Sequence, residues 1–185
     1  MKKTLACLLL SLPLLAYSAV PSWVIDHSKS HLTFTATQMG APTKGEFKKF
    51  SGTIQFDRDK LDESHIIISV DMTSVYTSYE DLQQELMNPA WFDTVQFPKA
   101  VFTSTMIKLI KDNQYLMQGD LALRDKTLPV SIEFTIDQYS KTNAIARGKT
   151  TLHRTAFGIG QGEYQATDDI ADNVLVEFVI VGHQD

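Results

Sequence analysis

The sequence predicts an all-β protein, an eight-stranded antiparallel barrel with one short capping α-helix. Eight stretches alternate apolar and polar residues with the period of two that a half-buried strand requires. One stretch, beginning at Tyr79, has a helical period instead. Eight is also the strand number at which a sheet closes on itself and leaves room for side chains or one small ligand. A two-sheet sandwich would show the same alternation. The lone helix favours the barrel, which has an open end for it to cover.

The first strand spans residues 31–39, where Phe34 and Ala36 alternate with threonines, and Gly40-Ala41-Pro42 turns the chain. Residues 45–56 read as one strand carrying Phe47, Ile54 and Phe56, with Gly52 as a bulge. In 65–72, Ile66, Ile68, Val70 and Met72 share a face against Ile67, Ser69 and Asp71. Strands at 100–110 and 115–123 flank an Asp112-Asn113 turn and carry Phe102, Met106 and Leu121. Residues 128–136 alternate most cleanly, with Val130, Ile132, Phe134 and Ile136 opposed to Ser131, Glu133 and Thr135. Strands at 144–153 and 174–181 complete the set.

The helix has a start, a face and a stop. Ser78-Tyr79-Glu80-Asp81 has the Ser-x-x-Asp form in which a side-chain oxygen accepts an unpaired amide of the first turn. Tyr79, Leu82 and Leu86 recur on one helical face. Asn88-Pro89 ends it, because proline lacks the amide and disfavours helix in the residue before it. Trp91, Phe92 and Phe97 follow, so an aromatic knot links the helix to the next strand.

Residues 1–18 read as a secretory signal peptide: Lys2 and Lys3, an apolar run from Leu5 to Ala16, and small residues for cleavage after Ser18 or Ala19. The run is too short to span a bilayer, and no later segment is apolar enough to do so. The mature chain, residues 19–185, is then expected to be one exported domain, with the periplasm as its expected location. Cys7, the single cysteine, leaves with the signal, which excludes disulfides, thiolate nucleophiles and cysteine-based metal sites. Losing Lys2 and Lys3 leaves 15 basic against 22 acidic residues, a balance that argues against nucleic acid and anionic membrane surfaces as partners.

Motifs for chemistry are weak. Gly158-Ile159-Gly160-Gln161-Gly162 lacks the spacing and the following helix of a dinucleotide loop and reads as a sharp bend or close backbone approach. Arg154, just ahead of it, reads as the partner of a carboxylate. The histidines 27, 31, 65, 153 and 183 show no metal-ligand spacing, and there is no Gly-x-Ser-x-Gly elbow. Asp81, Glu85, Asp93, Asp120 and Asp125 are spaced mostly as solvated faces. The positive signal is the apolar and aromatic inward face, which also includes Phe157. That face has two readings: a packed core, or a tunnel for a long apolar ligand in which Met72, Met106 and Met117 adapt to a flexible chain. Ten buried methylenes would supply about 8 kcal/mol gross, which is sufficient for binding.

The landmarks Trp23-Val24-Ile25-Asp26, Phe50-Ser51-Gly52-Thr53-Ile54, Trp91-Phe92-Asp93 with Phe97-Pro98 and Phe102-Thr103-Ser104, Gly119-Asp120-Leu121, and Arg154-Thr155-Ala156-Phe157-Gly158-Ile159-Gly160 occur in a characteristic order. Over residues 23–181 the chain resembles the YceI-like family of secreted bacterial polyisoprenoid-binding proteins. The resemblance implies a lipocalin-like barrel whose tunnel holds an isoprenoid tail, a polyprenyl chain or an isoprenoid quinone, with no other cofactor required and with a possible homodimer. The tunnel-lining candidates are then Phe34, Phe47, Ile54, Phe56, Ile68, Val70, Met72, Leu82, Leu86, Trp91, Phe92, Phe102, Met106, Leu121, Ile132, Phe134 and Phe157. The chain departs from the family pattern at Ala156, where aspartate is frequent, and before and along the helix at Glu80-Asp81, Gln83-Gln84 and Leu86-Met87-Asn88-Pro89. Two rivals remain: an enzyme acting on a quinone or lipid in the same cavity, with His31, His65 or His153 facing it, and a stress-response interaction module with a solid barrel.

Overall fold

The computed structural model describes residues 19–184, so the predicted signal peptide lies outside the described residues. The strands are β1 (Ser22–Ile25), β2 (His31–Gln38), β3 (Ala41–Phe47), β4 (Phe50–Gln55), β5 (His65–Asp71) and β6 (Val75–Thr77). After helix α1 (Glu80–Met87) come β7 (Lys99–Lys111), β8 (Gln114–Leu123), β9 (Lys126–Tyr139), β10 (Asn143–His153) and β11 (Asn173–His183). All pairings between them are antiparallel. The order β1-β4-β5-β7-β8-β9-β10-β11 closes through a β1–β11 pairing, which makes the expected eight-stranded barrel.

Three of the eight staves are broken. β11 pairs with β1 at Gly182 and His183 and with β2 from Leu175 to Val179. β4 then pairs with β1 while β3 pairs with β2, and β5 and β6 repeat the division. The predicted strand at 45–56 is therefore two strands, interrupted at Lys48-Lys49, whose amides turn to the carbonyl and hydroxyl of Ser74. Gly52 is not a bulge, because its register runs unbroken from Phe50↔Val70 to Gln55↔His65. A Cβ there would stand 2.3 Å from the Ile67 carbonyl oxygen, so glycine serves close strand approach. The first turn is centred on Met39 and Gly40, both at positive φ, and Ala41 and Pro42 already belong to β3.

The helix also begins differently from the expectation. Its first flanking residue is Tyr79, and no side chain caps it. The Ser78–Asp81 box fails because the Thr77 hydroxyl holds Tyr79 in extended form, donating to its carbonyl at 2.7 Å and facing its amide at 3.3 Å. Tyr79 is 71% exposed, which leaves Leu82 and Leu86 as the packed face.

The position of α1 follows from the topology. Among the described residues β6 and β7 do not pair, and α1 with residues 88–98 forms the connection between them. Leu86, Trp91 and Phe92 pack there with Phe34, Met72, Val75, Phe157 and Ile159. A second cluster gathers Trp23, Phe56, Phe102, Tyr115 and Phe134, with the Tyr115 and Phe134 rings stacked at 5.1 Å. The Trp23 indole donates to the Phe56 carbonyl at 2.9 Å, which satisfies its buried N–H.

Candidate functional site: an apolar cavity

The alternation that builds the strands points one face of each toward the barrel axis. That face lines a cavity of about 300 Å³ bounded by members of both clusters. Its wall includes Phe34, Phe47, Ile54, Phe56, Ile68, Val70, Met72, Leu86, Trp91, Phe92, Phe102, Leu121, Ile132, Phe134 and Phe157. Two candidates are not on it. Leu82 packs behind the wall, against the cluster that holds Leu86. Met106 is displaced by a bulge in β7, where the register shifts between Ser104 and Met106. The extra residue reverses the inward phase, so Ile107 is buried where the alternation called for Met106. Of the other predicted methionines, Met72 and Met117 do reach the wall.

Several wall residues were not among the candidates. On β11, Val174, Val176, Phe178 and Ile180 alternate inward, a signal visible in the sequence. In the first half of β10 the inward residues are small, Ala144 and Ala146, with Gly148 in phase, before Thr150 and Leu152. A Cβ on Gly148 would lie 2.4 Å from the Phe178 ring and 2.8 Å from Phe134 Cβ, so its absence admits two aromatic rings. Periodicity read on large apolar residues passes over such positions.

Polar side chains on the wall are few: Tyr139, Thr150 and Arg154, beside the two tryptophans. Arg154 is 3% exposed. It does not hydrogen-bond a carboxylate, as the sequence had implied. Its Nε donates to the Ala171 carbonyl at 3.2 Å, Nη1 to Ile159 at 3.0 Å and Gly160 at 3.4 Å, and Nη2 to Ala166 and Ile170 at 2.8 Å each. Burial pushes its pKa below the ordinary arginine value, and the nearby Asp172 charge opposes that shift. The guanidinium ties the glycine-rich loop to the segment leading into β11. Gly158, Gly160 and Gly162 all have positive φ, so the glycine run makes bends, as expected.

The aromatic segment after α1 is fastened from two sides. The Ala90 carbonyl accepts the amides of Gly160 and Gln161 at 2.8 Å each. From the β8–β9 turn, Arg124 donates through Nη1 to the carbonyls of Pro89 and Trp91 and lies over the Phe97 ring. The Trp91 indole donates to Glu85 Oε1 at 3.1 Å, and its ring meets Tyr164 at 5.1 Å. Asp93 is buried, with φ 49, in the turn where its amide donates to the Asn88 carbonyl; it is not part of a solvated face.

None of His31, His65 and His153 stands on the cavity wall. His31 faces Glu46 at 3.2 Å and His153 faces Asp172 at 3.0 Å, both histidines well exposed. The site therefore offers apolar contact and shape rather than acid and base pairs.

The comparisons with known proteins agree with this geometry. A model of the YceI-like domain matches residues 23–182. A UPF0312 protein of Pseudomonas savastanoi pv. phaseolicola is 29% identical over 181 residues, covering 92% of this chain and 94% of its own length. One from Shewanella denitrificans is 28% identical, covering 96% and 98%. The crystal structure of Burkholderia cenocepacia BcnA superposes with a TM-score of 0.81 at 30% identity, over 85% of this chain and 98% of that one. A polyisoprenoid binding domain from Saccharophagus degradans shares the fold at a TM-score of 0.70 and 15% identity, over 91% and 100%. A closed barrel with a latched helical segment, an apolar interior and a domain match across its length together place this chain in the YceI-like family.

Proposed function

We propose that the protein binds a long apolar isoprenoid lipid, a polyprenyl chain or an isoprenoid quinone, in the periplasm, and sequesters or carries it without chemical change. The observation that carries the reading is the cavity within the barrel, whose wall is almost wholly aliphatic and aromatic. At about 300 Å³ it lies at the lower end of small-molecule sites, which suits a narrow chain better than a bulky ring system. The family match and the fold shared with the polyisoprenoid binding domain of Saccharophagus degradans support an isoprenoid over other apolar ligands. The polar atoms of Arg154 are engaged by backbone carbonyls, so it shapes the wall more than it recognises a head group. The periplasmic location rests on the predicted signal peptide, and a homodimer on the resemblance alone. The experiment is organic extraction of protein purified from its native source, followed by mass spectrometry. Recovery of a stoichiometric isoprenoid is the expected result. Its absence, with a barrel otherwise folded, would remove the reading.

A further inference from the structure

We propose that the barrel wall carries a lateral seam between β9 and β10 through which the ligand tail enters and leaves. This inference rests on the lipid-binding reading for its biology, but the seam itself is a feature of the sheet. The β9–β10 ladder runs from Ala144↔Tyr139 to Lys149↔Glu133 and stops there. β9 continues back to Lys126, held by β8, and β10 continues to His153, held by β11. Past Lys149 and Glu133, therefore, each strand is tied to its outer neighbour and not to the other. One side-chain bond spans the start of the gap, the Thr150 hydroxyl donating to the Ser131 carbonyl at 2.8 Å. Pro129, which has no N–H to offer, stands in the unpaired stretch.

The gap is not filled. A groove of about 680 Å³ lies over it on the outer face, and groove and inner cavity share Val130, Thr150, Leu152 and Phe157. Those side chains are thus in contact with both sides of the wall. Leu128 lies on the outer groove, and Leu128, Val130 and Leu152 are half-buried against the cluster that contains Phe157. Parting the seam breaks few backbone hydrogen bonds, because the ladder is already absent. By contrast, the end of the barrel at α1 is held by Arg124 and by the Ala90 carbonyl, whose hydrogen bonds must break before that segment moves. The seam's core-packed side chains, Leu128, Val130 and Leu152, are apolar, while Ser131, Thr151 and His153 line its outer groove, so it is the easier route for an apolar chain.

The test uses paired cysteines, since the mature chain has none of its own. Ser131→Cys with Thr151→Cys extends the register past its last pair, Lys149↔Glu133, on the outer face, and its disulfide would close the seam. Glu133→Cys with Lys149→Cys makes the same bridge where the ladder already exists. The readout is release of bound N-phenyl-1-naphthylamine. Oxidation of the seam pair should slow release by about tenfold or more, reversed by reductant, with equilibrium affinity little changed, because route and affinity are separate quantities. The control pair should release alike in both redox states. Equal release from the oxidised and reduced seam pair overturns the proposal. If the probe binds neither form, the apolar-cavity reading fails. The seam is then judged, as it is if the disulfide does not form, by amide hydrogen exchange in ligand-free wild-type protein. Faster exchange at Ser131, Thr151 and His153, which face across the seam, than at Glu133, Thr135, Arg147 and Lys149, which face each other in the existing ladder, supports it, and equal protection refutes it.

Discussion

A side chain on residue 160 would begin where the Arg154 guanidinium lies: a Cβ there would stand 2.3 Å from Nη1. Gly160 also has φ +75, which L side chains rarely adopt. The glycine and the buried arginine are thus one unit, and the carbonyls of Ile159, Ala166, Ile170 and Ala171 complete it.

Gly160→Ala should destabilise the fold by about 2–4 kcal/mol, combining the left-handed backbone cost with displacement of the guanidinium. Arg154→Lys should cost about 2–3 kcal/mol, because an ammonium cannot reach the fan of carbonyls that the planar fork satisfies. Urea unfolding of each single variant measures both. Unchanged midpoints would contradict the structural role given to the pair.

Arg124, in the β8–β9 turn, latches the segment after α1 to the barrel. Arg124→Met should lower stability by about 1.5–3 kcal/mol, the range for hydrogen bonds from a charged donor. It should also make residues 88–98 the first site of limited proteolysis. Cleavage kinetics identical to wild type would show that the latch is redundant.

The cavity wall at Ala146 offers a way to fill the void from the side where residues are small. Ala146→Phe should remain folded, with an overpacking cost of about 1–3 kcal/mol. The lipid recovered by extraction should fall to a small fraction of the wild-type amount. Full lipid occupancy in a folded Ala146→Phe variant would place the ligand elsewhere.

Asp172 accepts from the amide and hydroxyl of Thr155 at 3.0 and 2.7 Å and faces His153. Burial alone would raise its pKa, but the Thr155 hydrogen bonds and His153 overcome this and hold it below the ordinary value of 3.8. A depressed folded pKa contributes stability that is complete above the unfolded value and is lost as pH falls through the folded one. Stability should therefore decline below about pH 4. Asp172→Asn should lose stability at pH 7 and show a shallower acid limb. Thermal melts from pH 7 to pH 2.5 give the comparison, and parallel curves would remove Asp172 from the acid response.

Much of the barrel was legible because period-two alternation is a local consequence of strand geometry. The β5 face of Ile66, Ile68 and Val70 and the β9 face of Ile132 and Phe134 needed no tertiary information to be placed inward. Met106 was misplaced because a bulge reverses the phase without marking the sequence. Leu82 was misplaced because a helical face says which side packs, not whether it meets a void or another side chain. Ala146 and Gly148 escaped notice because a cavity is made partly by what a residue lacks.

The sequence by itself determined which stretches are strands and which face of each is apolar, since alternation and turn chemistry are read residue by residue. Only the tertiary structure decided where three staves break, which carbonyls surround Arg154, and that β9 and β10 part beyond Glu133 and Lys149. The physical reason is that a strand's own residues set its two faces, while its edges are satisfied by whichever neighbour the fold brings alongside.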